Sequence, residues 1–308
     1  MDKGIYERVS QRVEKDWYPY HEEEWFTHKD ICDFFDWRGI NKEGQEIRQA
    51  VSYKLYHDYK LKAVATLEKS GKAYRLFDRS IQELDWTQAD ISKIYKLTFP
   101  YDIENKSNFW FEDNISIPPK GIILVAGVSN MGKTTFLLNL MVMNMDVYNI
   151  TYFTCELTEV GFKRRMKPFE NWCELYNGDK SPKFRVIERY DHYHDVLDPD
   201  GFNIIDYLDV NEEAEYFKIK SYIRRIKKTL DKGIAVIALQ KPPGRPDAYG
   251  GANLRGDADL YLAIDYGKLT VVKAKDWHSR DPNNVKFSFE IEHSGSMFTN
   301  IKELSEEG

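Results

Sequence analysis

Apolar positions recur along this chain with two periods, and the change between them divides it. From residue 24 to residue 80 the pattern is helical and then alternating. Phe26-Thr27 leads into HKDICDFFDW, with Thr27 a candidate N-cap and Ile31, Phe34 and Phe35 on one face. After Gly39, GQEIRQAVSYKLYHDY repeats apolar residues at Ile47, Val51, Leu55 and Tyr59, a helical period. KAVATLE and KAYRLFD then alternate apolar and polar residues around Lys69-Ser70-Gly71-Lys72, which predicts a β-hairpin. Beyond residue 101, buried strands alternate with amphipathic helices. Strands are expected at Ile122 to Ala126, Ile150 to Cys155, Phe184 to Ile187, Phe202 to Asp206 and Ile234 to Leu239. Helices are expected through Phe136 to Met141, Val160 to Met166 and Asn211 to Lys232. Such alternation predicts an α/β fold, a doubly wound and mostly parallel sheet with helices on both faces. The alternating residues from Lys268 to Phe298 predict antiparallel strands added at one edge. The expected layout is an N-terminal arm at 1–23, a small α+β domain at 24–80, a linker at 81–101, an α/β domain at 102–300 and a mobile charged tail at 301–308.

The stretch GIILVAGVSNMGKTTFLLNL, Gly121 to Leu140, carries the clearest chemistry. Gly127, Gly132, Lys133 and Thr134 fit G-x-x-x-x-G-K-[ST], the phosphate-binding loop, between an apolar strand and an amphipathic helix as that motif requires. The two glycines let the backbone curl so that successive N–H groups of the loop, Asn130 among them, point inward as an anion nest. The helix opening at Lys133, with Thr134 and Thr135 in its first turn, adds its positive end. Lys133 is expected on the β- and γ-phosphates of ATP, and the Thr134 hydroxyl on Mg²⁺. In open parallel sheets ligands bind beyond the carboxyl ends of the strands. Glu156, Asp206 and Gln240 each stand at such an end, so they are candidates for the same site. Taken singly, each has a plainer reading: a helix cap, a turn residue and a strand-end polar group.

Composition narrows the class. The 308 residues carry a net charge of −6, with 42% hydrophobic and 31% charged positions, so the protein as a whole is not a uniformly basic nucleic-acid binder; a basic face on an acidic protein stays open. The N-terminus lacks the apolar core of a signal peptide and no apolar run reaches the roughly 18 to 20 residues of a membrane span. A cytoplasmic protein without membrane contact is expected. Three cysteines, Cys32, Cys155 and Cys173, without metal-ligand spacing read as reduced thiols.

The phosphate loop followed by YFTCEL, NIIDYLDV, AVIALQKPPG and VVKAKDWH resembles the RecA-like ATPases of the DnaB-type hexameric helicase branch, over roughly Tyr101 to Phe298. The helices and hairpin before it resemble a winged-helix module, a layout similar to that of phage and mobile-element relatives. The resemblance implies a homo-oligomeric ring, a hexamer, that hydrolyses ATP with Mg²⁺ on single-stranded DNA. It implies that Asp206 holds the Mg²⁺ shell, that Glu156 polarises the attacking water, and that Gln240 senses the γ-phosphate. The Gly- and Pro-rich loop after Gln240, with Lys241, Arg245 and Arg255, corresponds to the loop that touches single-stranded DNA. Lys273 and Lys275 occupy the place of a Lys-x-Arg pair that acts on the neighbouring subunit's nucleotide. Lysine at the arginine position lacks the bidentate fork, with Arg280 as an alternative source. In the winged helix, Arg48 with Lys54 and His57 would face a major groove, and Lys69 and Lys72 would form the wing tip. Such modules also dock proteins, so duplex DNA and a protein partner both stay open. An ATP-dependent recruitment factor without unwinding is the rival to a motor.

Overall fold

The computed structural model describes residues 3–21, 25–79, 81, 83–208 and 219–305. It divides into two compact units, Met1–Ala89 and Asp90–Gly308.

The first unit runs helix, strand, helix, helix, hairpin. α1 (Lys3–Arg12) continues through a wider turn at Val13–Trp17. β1 (Phe26–Thr27) leads directly into α2 (His28–Phe34), where Thr27 accepts from the Asp30 N–H while Asp30 returns a bond to the Thr27 N–H. That reciprocal cap is why the helix starts there. α3 (Lys42–Tyr56) is capped by Asn41. β2 (Leu67–Ser70) and β3 (Ala73–Leu76) turn at Gly71, which has a φ of 57°. Antiparallel pairing gives a three-stranded sheet in the order β1-β3-β2. Val9, Val13, Trp17 and Tyr18 are buried against Ile31, Val51, Leu55 and Leu67. The N-terminal segment is therefore part of this core and not a separate arm. Phe34, expected inside, is 56% exposed because the short α2 ends there.

Lys54 corrects a second expectation. Its side chain points inward from α3, 1% exposed, and meets Asp58 at 2.8 Å and Glu14. Asp58, fully buried, also receives the Tyr18 hydroxyl at 2.8 Å. Burial alone would raise the Asp58 carboxyl, but hydrogen bonds from Lys54 and Tyr18 and the Lys54 charge hold it below its ordinary value.

In the second unit, β4 (Ile122–Gly127), β5 (Ile150–Thr154), β6 (Arg185–Glu188), β7 (Phe202–Asp206), β8 (Ile234–Gln240) and β9 (Leu260–Asp265) are parallel. They are followed by antiparallel β10 (Lys268–Ala274), β11 (Lys286–Glu292) and β12 (Met297–Leu304). The order among the described residues is β12-β11-β10-β9-β4-β8-β7-β5-β6. This is a mostly parallel α/β sheet with its antiparallel strands at one edge.

α4 (Lys133–Asn144) is buried along most of its length; Phe136, Leu137, Leu140 and Met141 pack on the sheet. Each such side chain removed from water contributes about 1.5–3 kcal/mol. Asn144 near its end donates to the Thr98 carbonyl at 2.7 Å and accepts from the Thr98 N–H at 3.0 Å. With Leu97 and Phe99 in the core, residues from Asp90 onward belong to this unit, earlier than residue 102. α5 (Glu159–Met166) follows β5, and α6 (Ile219–Thr229) covers the opposite face through Ile223 and Ile226. The first part of the helix expected at 211–232, residues 211–218, lies outside the described residues. At the other end, β12 runs through Leu304 with Ile301 buried, so the tail expected from 301 begins as a core strand. Among the described residues no helix is long and apolar enough to cross a membrane.

Candidate functional site

β4, β5, β7 and β8 end on one rim of the sheet. Register sets Gly127 beside Gln240 on one side and Ile264 on the other, and Thr154 beside Asp206. The loop from Val128 to Met131 turns back over that rim into α4. Asn130 has a φ of 63° and Gly132 a φ of 99°. A Cβ on Gly127 would stand 2.8 Å from Lys133 Cγ and 3.1 Å from the Ile264 carbonyl, so only glycine lets strand and lysine approach this closely. Gly132 supplies no side-chain cap to α4. The first N–H groups of the helix, at Thr134 and Thr135, are thereby left for an anion.

A cavity of about 580 Å³ opens over this rim, within the range of small-molecule sites. Lys133, Thr134, Glu156, Asp206 and Gln240 all line it. The Lys133 ammonium donates to the Gly127 carbonyl at 2.9 Å, the Val128 carbonyl at 3.1 Å and Gln240 Oε1 at 3.4 Å. Its burial pushes its pKa below the ordinary lysine value, against the attraction of Asp206 and Glu156. Gln240 in turn donates to Ser129 Oγ at 3.3 Å. Asp206 is 2% exposed. Burial raises its carboxyl, opposed by the hydrogen bond from Tyr152 and by the Lys133 charge. Its Oδ2 accepts the Tyr152 hydroxyl at 2.6 Å, while Oδ1 is buried without a hydrogen-bond partner. An orphaned carboxylate oxygen beside a threonine hydroxyl fits a hard divalent cation. Mg²⁺ needs few protein ligands, since it keeps waters and takes phosphate oxygens. Among the described residues no group of three acidic, histidine or cysteine side chains is arranged for a metal. Glu156 is exposed at the cavity wall, with its N–H directed to Thr154 Oγ1 at 3.3 Å.

The other candidates lie elsewhere. Lys241 is buried, ion-paired to Asp265 at 2.7 Å, and donates to the Arg245 carbonyl at 2.8 Å. Strand alternation explains this: Gln240 faces the cavity, so its successor faces away. Lys241 therefore anchors the loop, and its charge is not available on the surface as expected. Arg255 makes a two-pronged bond with Asp247 at 2.7 and 2.8 Å. Arg245 is exposed. Lys273 donates to the carbonyls of Arg255 and Ala258, and Lys275 lies 3.5 Å from Asp259. Both stand near the start of β9, opposite the phosphate-loop rim, so within one chain neither attends the cavity. Arg280 pairs with Glu303 and stacks over Trp110 at 4.8 Å. In the first unit Arg48 is half-buried and bonds the Gly39 carbonyl, Lys69 lies over Tyr74 at 5.3 Å, and Lys72 is exposed at the hairpin tip.

Sequence reasoning missed three cavity neighbours. Arg165, on the last turn of α5, and Tyr266, at the β9–β10 turn, both line the cavity. Nothing in KRRM singles out Arg165 from its basic neighbours. Tyr152 did leave a signal, since a tyrosine in a fully buried strand needs a partner for its hydroxyl.

No protein-family model and no curated protein matches the sequence. Among solved structures, this chain is similar to the KaiC-like protein PH0186 from the hyperthermophilic archaeon Pyrococcus horikoshii OT3, at 15% identity with a TM-score of 0.46. The match covers 68% of this chain and 99% of that one.

Proposed function

We propose that this protein hydrolyses ATP and uses the reaction to act on single-stranded DNA, as a homo-oligomeric ring of the DnaB-type branch. The observation that carries the nucleotide half is the convergence of Lys133, Thr134, Glu156, Asp206 and Gln240 on one cavity at one rim of the sheet. On this reading the loop N–H groups and the α4 terminus bind the phosphates, and Lys133 exchanges its carbonyl partners for phosphate oxygens. Thr134 and Asp206 Oδ1 would hold Mg²⁺, which when bound neutralises charge on the phosphate oxygens. Glu156 accepts a proton from the water that attacks the γ-phosphorus, and ADP departs as leaving group. Gln240, already bonded to Lys133 and Ser129, registers whether the γ-phosphate is present.

For the DNA half, support comes from the exposed Arg245 on the loop after β8. The helix–strand–helix–helix–hairpin order of the first unit, with its β1-β3-β2 sheet, agrees with a winged helix. Its exposed α3 face carries Gln49, Ser52 and Tyr56, and Lys72 marks the wing tip. Lys273 and Lys275, remote from their own cavity, suit a role toward a neighbouring subunit. A second reading, an ATP-controlled recruitment factor that does not unwind, is favoured by a specific observation: Lys241 and Arg255, two of the three loop cations, are held by Asp265 and Asp247.

The test is ATP turnover with and without an oligothymidylate. The motor reading expects several-fold stimulation that falls in Arg245→Ala. Turnover indifferent to DNA sinks the motor, and failure to bind ATP at all sinks both readings. A duplex-unwinding assay then separates motor from recruitment factor.

A further inference from the structure

We propose that Tyr152 is a positioning residue for the divalent cation: its phenol occupies Oδ2 of Asp206 and so reserves Oδ1 as the oxygen that faces the metal. The inference rests on the reading of the cavity as a metal–nucleotide site and adds to it a residue outside the loop motif.

Tyr152 sits in the middle of β5, 0% exposed, in register with Ile204, while Thr154 is in register with Asp206. Side chains two apart on a strand share a face. The length of the tyrosine therefore carries its hydroxyl along the strand to the carboxylate at the rim, where it donates to Oδ2 at 2.6 Å. The ring packs edge-on against Phe162 at 5.4 Å in the core beneath α4 and α5. A buried ring held this way has no second position for its oxygen. Asp206 Oδ1, by contrast, is buried with no hydrogen-bond partner. An unsatisfied oxygen of that kind is costly unless a ligand completes it. The two oxygens of one carboxylate thus differ in kind: one is saturated by a fixed donor and the other is bare.

The carboxylate needs this help because its terminal torsion is soft and roughly two-fold. Without a donor on Oδ2 the group can turn, and neither oxygen is committed to the metal. Partners that orient a metal-binding group in this way typically change metal affinity about 10- to 100-fold when removed. Phenylalanine at 152 keeps the ring, its packing and the strand, and removes only the donor.

The experiment titrates Mn²⁺ by electron paramagnetic resonance into the full chain saturated with a non-hydrolysable ATP analogue, comparing wild type with Tyr152→Phe. Nucleotide affinity in EDTA is measured in parallel. The expected result is a Mn²⁺ affinity at least about 10-fold weaker in the variant, with metal-free nucleotide affinity unchanged. Equal Mn²⁺ affinity in the two proteins overturns the proposal, as does an equal loss of metal-free nucleotide affinity, which marks a merely structural role. If the variant does not fold, wild type labelled with ¹³C at Tyr152 Cζ answers the same question. The resonance should keep its hydrogen-bonded shift when metal and nucleotide bind, and loss of that shift overturns the proposal. Wild type that binds neither nucleotide nor Mn²⁺ removes the cavity reading itself, and the proposal with it.

Discussion

Replacing Asp58 by asparagine should destabilise the first unit more than any surface change in it. Asp58 is fully buried and Lys54 is 1% exposed, so the substitution leaves an ammonium in the core facing a neutral amide. Removing one partner of a buried ion pair costs about 3–5 kcal/mol. The lower end applies here, because Lys54 keeps its contact with Glu14, whose carboxylate is half in solvent. For a unit of this size, about 3 kcal/mol corresponds to a fall in Tm of roughly 12–24 °C. The double variant Lys54→Met/Asp58→Leu, which removes both charges, should recover most of that loss. The pH dependence follows from the directions of the shifts. The folded Asp58 pKa is depressed, so its contribution is present above the unfolded value near about 4 and is lost as pH falls through the folded one. Lys54 is raised in the folded state, as its bonds to Asp58 and Glu14 outweigh its burial, so its contribution holds below about pH 10 and is lost at higher pH. Calorimetry of the full chain, with limited proteolysis to assign the transition to residues before Ala89, reads both effects. A Tm for Asp58→Asn within about 2 °C of wild type at pH 7 would refute the reasoning. It would return Lys54 to the solvent face of α3, where it could meet DNA.

The remaining predictions concern the second unit. Lys133→Ala should abolish ATP binding in an equilibrium titration, whereas Glu156→Gln should bind normally and lose turnover by at least about 100-fold; retained turnover in the latter removes Glu156 from the base role. Lys241→Met should act on the loop and not on DNA directly: expected are faster proteolysis between residues 242 and 257 and a lower melting temperature, because Asp265 loses its buried partner. A variant with unchanged loop protection and weakened DNA binding alone would restore Lys241 to the DNA surface.

What the sequence disclosed follows from which interactions are local. The phosphate loop, the strands and their polar ends were legible because each depends on residues within a few positions of one another. Thr27 and its partner Asp30 are likewise three residues apart. Whether a cation is free was not legible, because its partner is distant in the chain. Lys54 meets Glu14 from 40 positions away, Lys241 meets Asp265, and Lys273 is held by carbonyls before β9. Each lysine reads as surface charge until the fold supplies a carboxylate or carbonyl opposite it. Tyr152 and Asp206, 54 positions apart, are the same case on the side of acids. The role of the N-terminal segment is hidden in the sequence because its apolar residues Val9, Val13, Trp17 and Tyr18 are sparse among charges, and only the packed core explains their spacing.

The partners of Lys133 give the site its direction of response. Its ammonium is shared among two loop carbonyls and Gln240 Oε1, and the last of these is the longest contact. On the proposed reading, a γ-phosphate competes for the same three donors of one ammonium, and the weakest partner is the first displaced. Gln240 is the last residue of β8, and the next residue is Lys241, locked to Asp265 and to the Arg245 carbonyl. A change in what Gln240 bonds therefore arrives at a loop whose near end is fixed and whose far end is tied through Arg255 to Asp247 and through Lys273 to the Arg255 carbonyl. A segment pinned at both ends has few arrangements, so displacement at Gln240 is transmitted as a change of loop shape and not dissipated as added freedom. On the proposed reading, the cations held by Asp265 and Asp247 would serve the coupling between nucleotide and loop, and Arg245 is left as the charge that the loop presents.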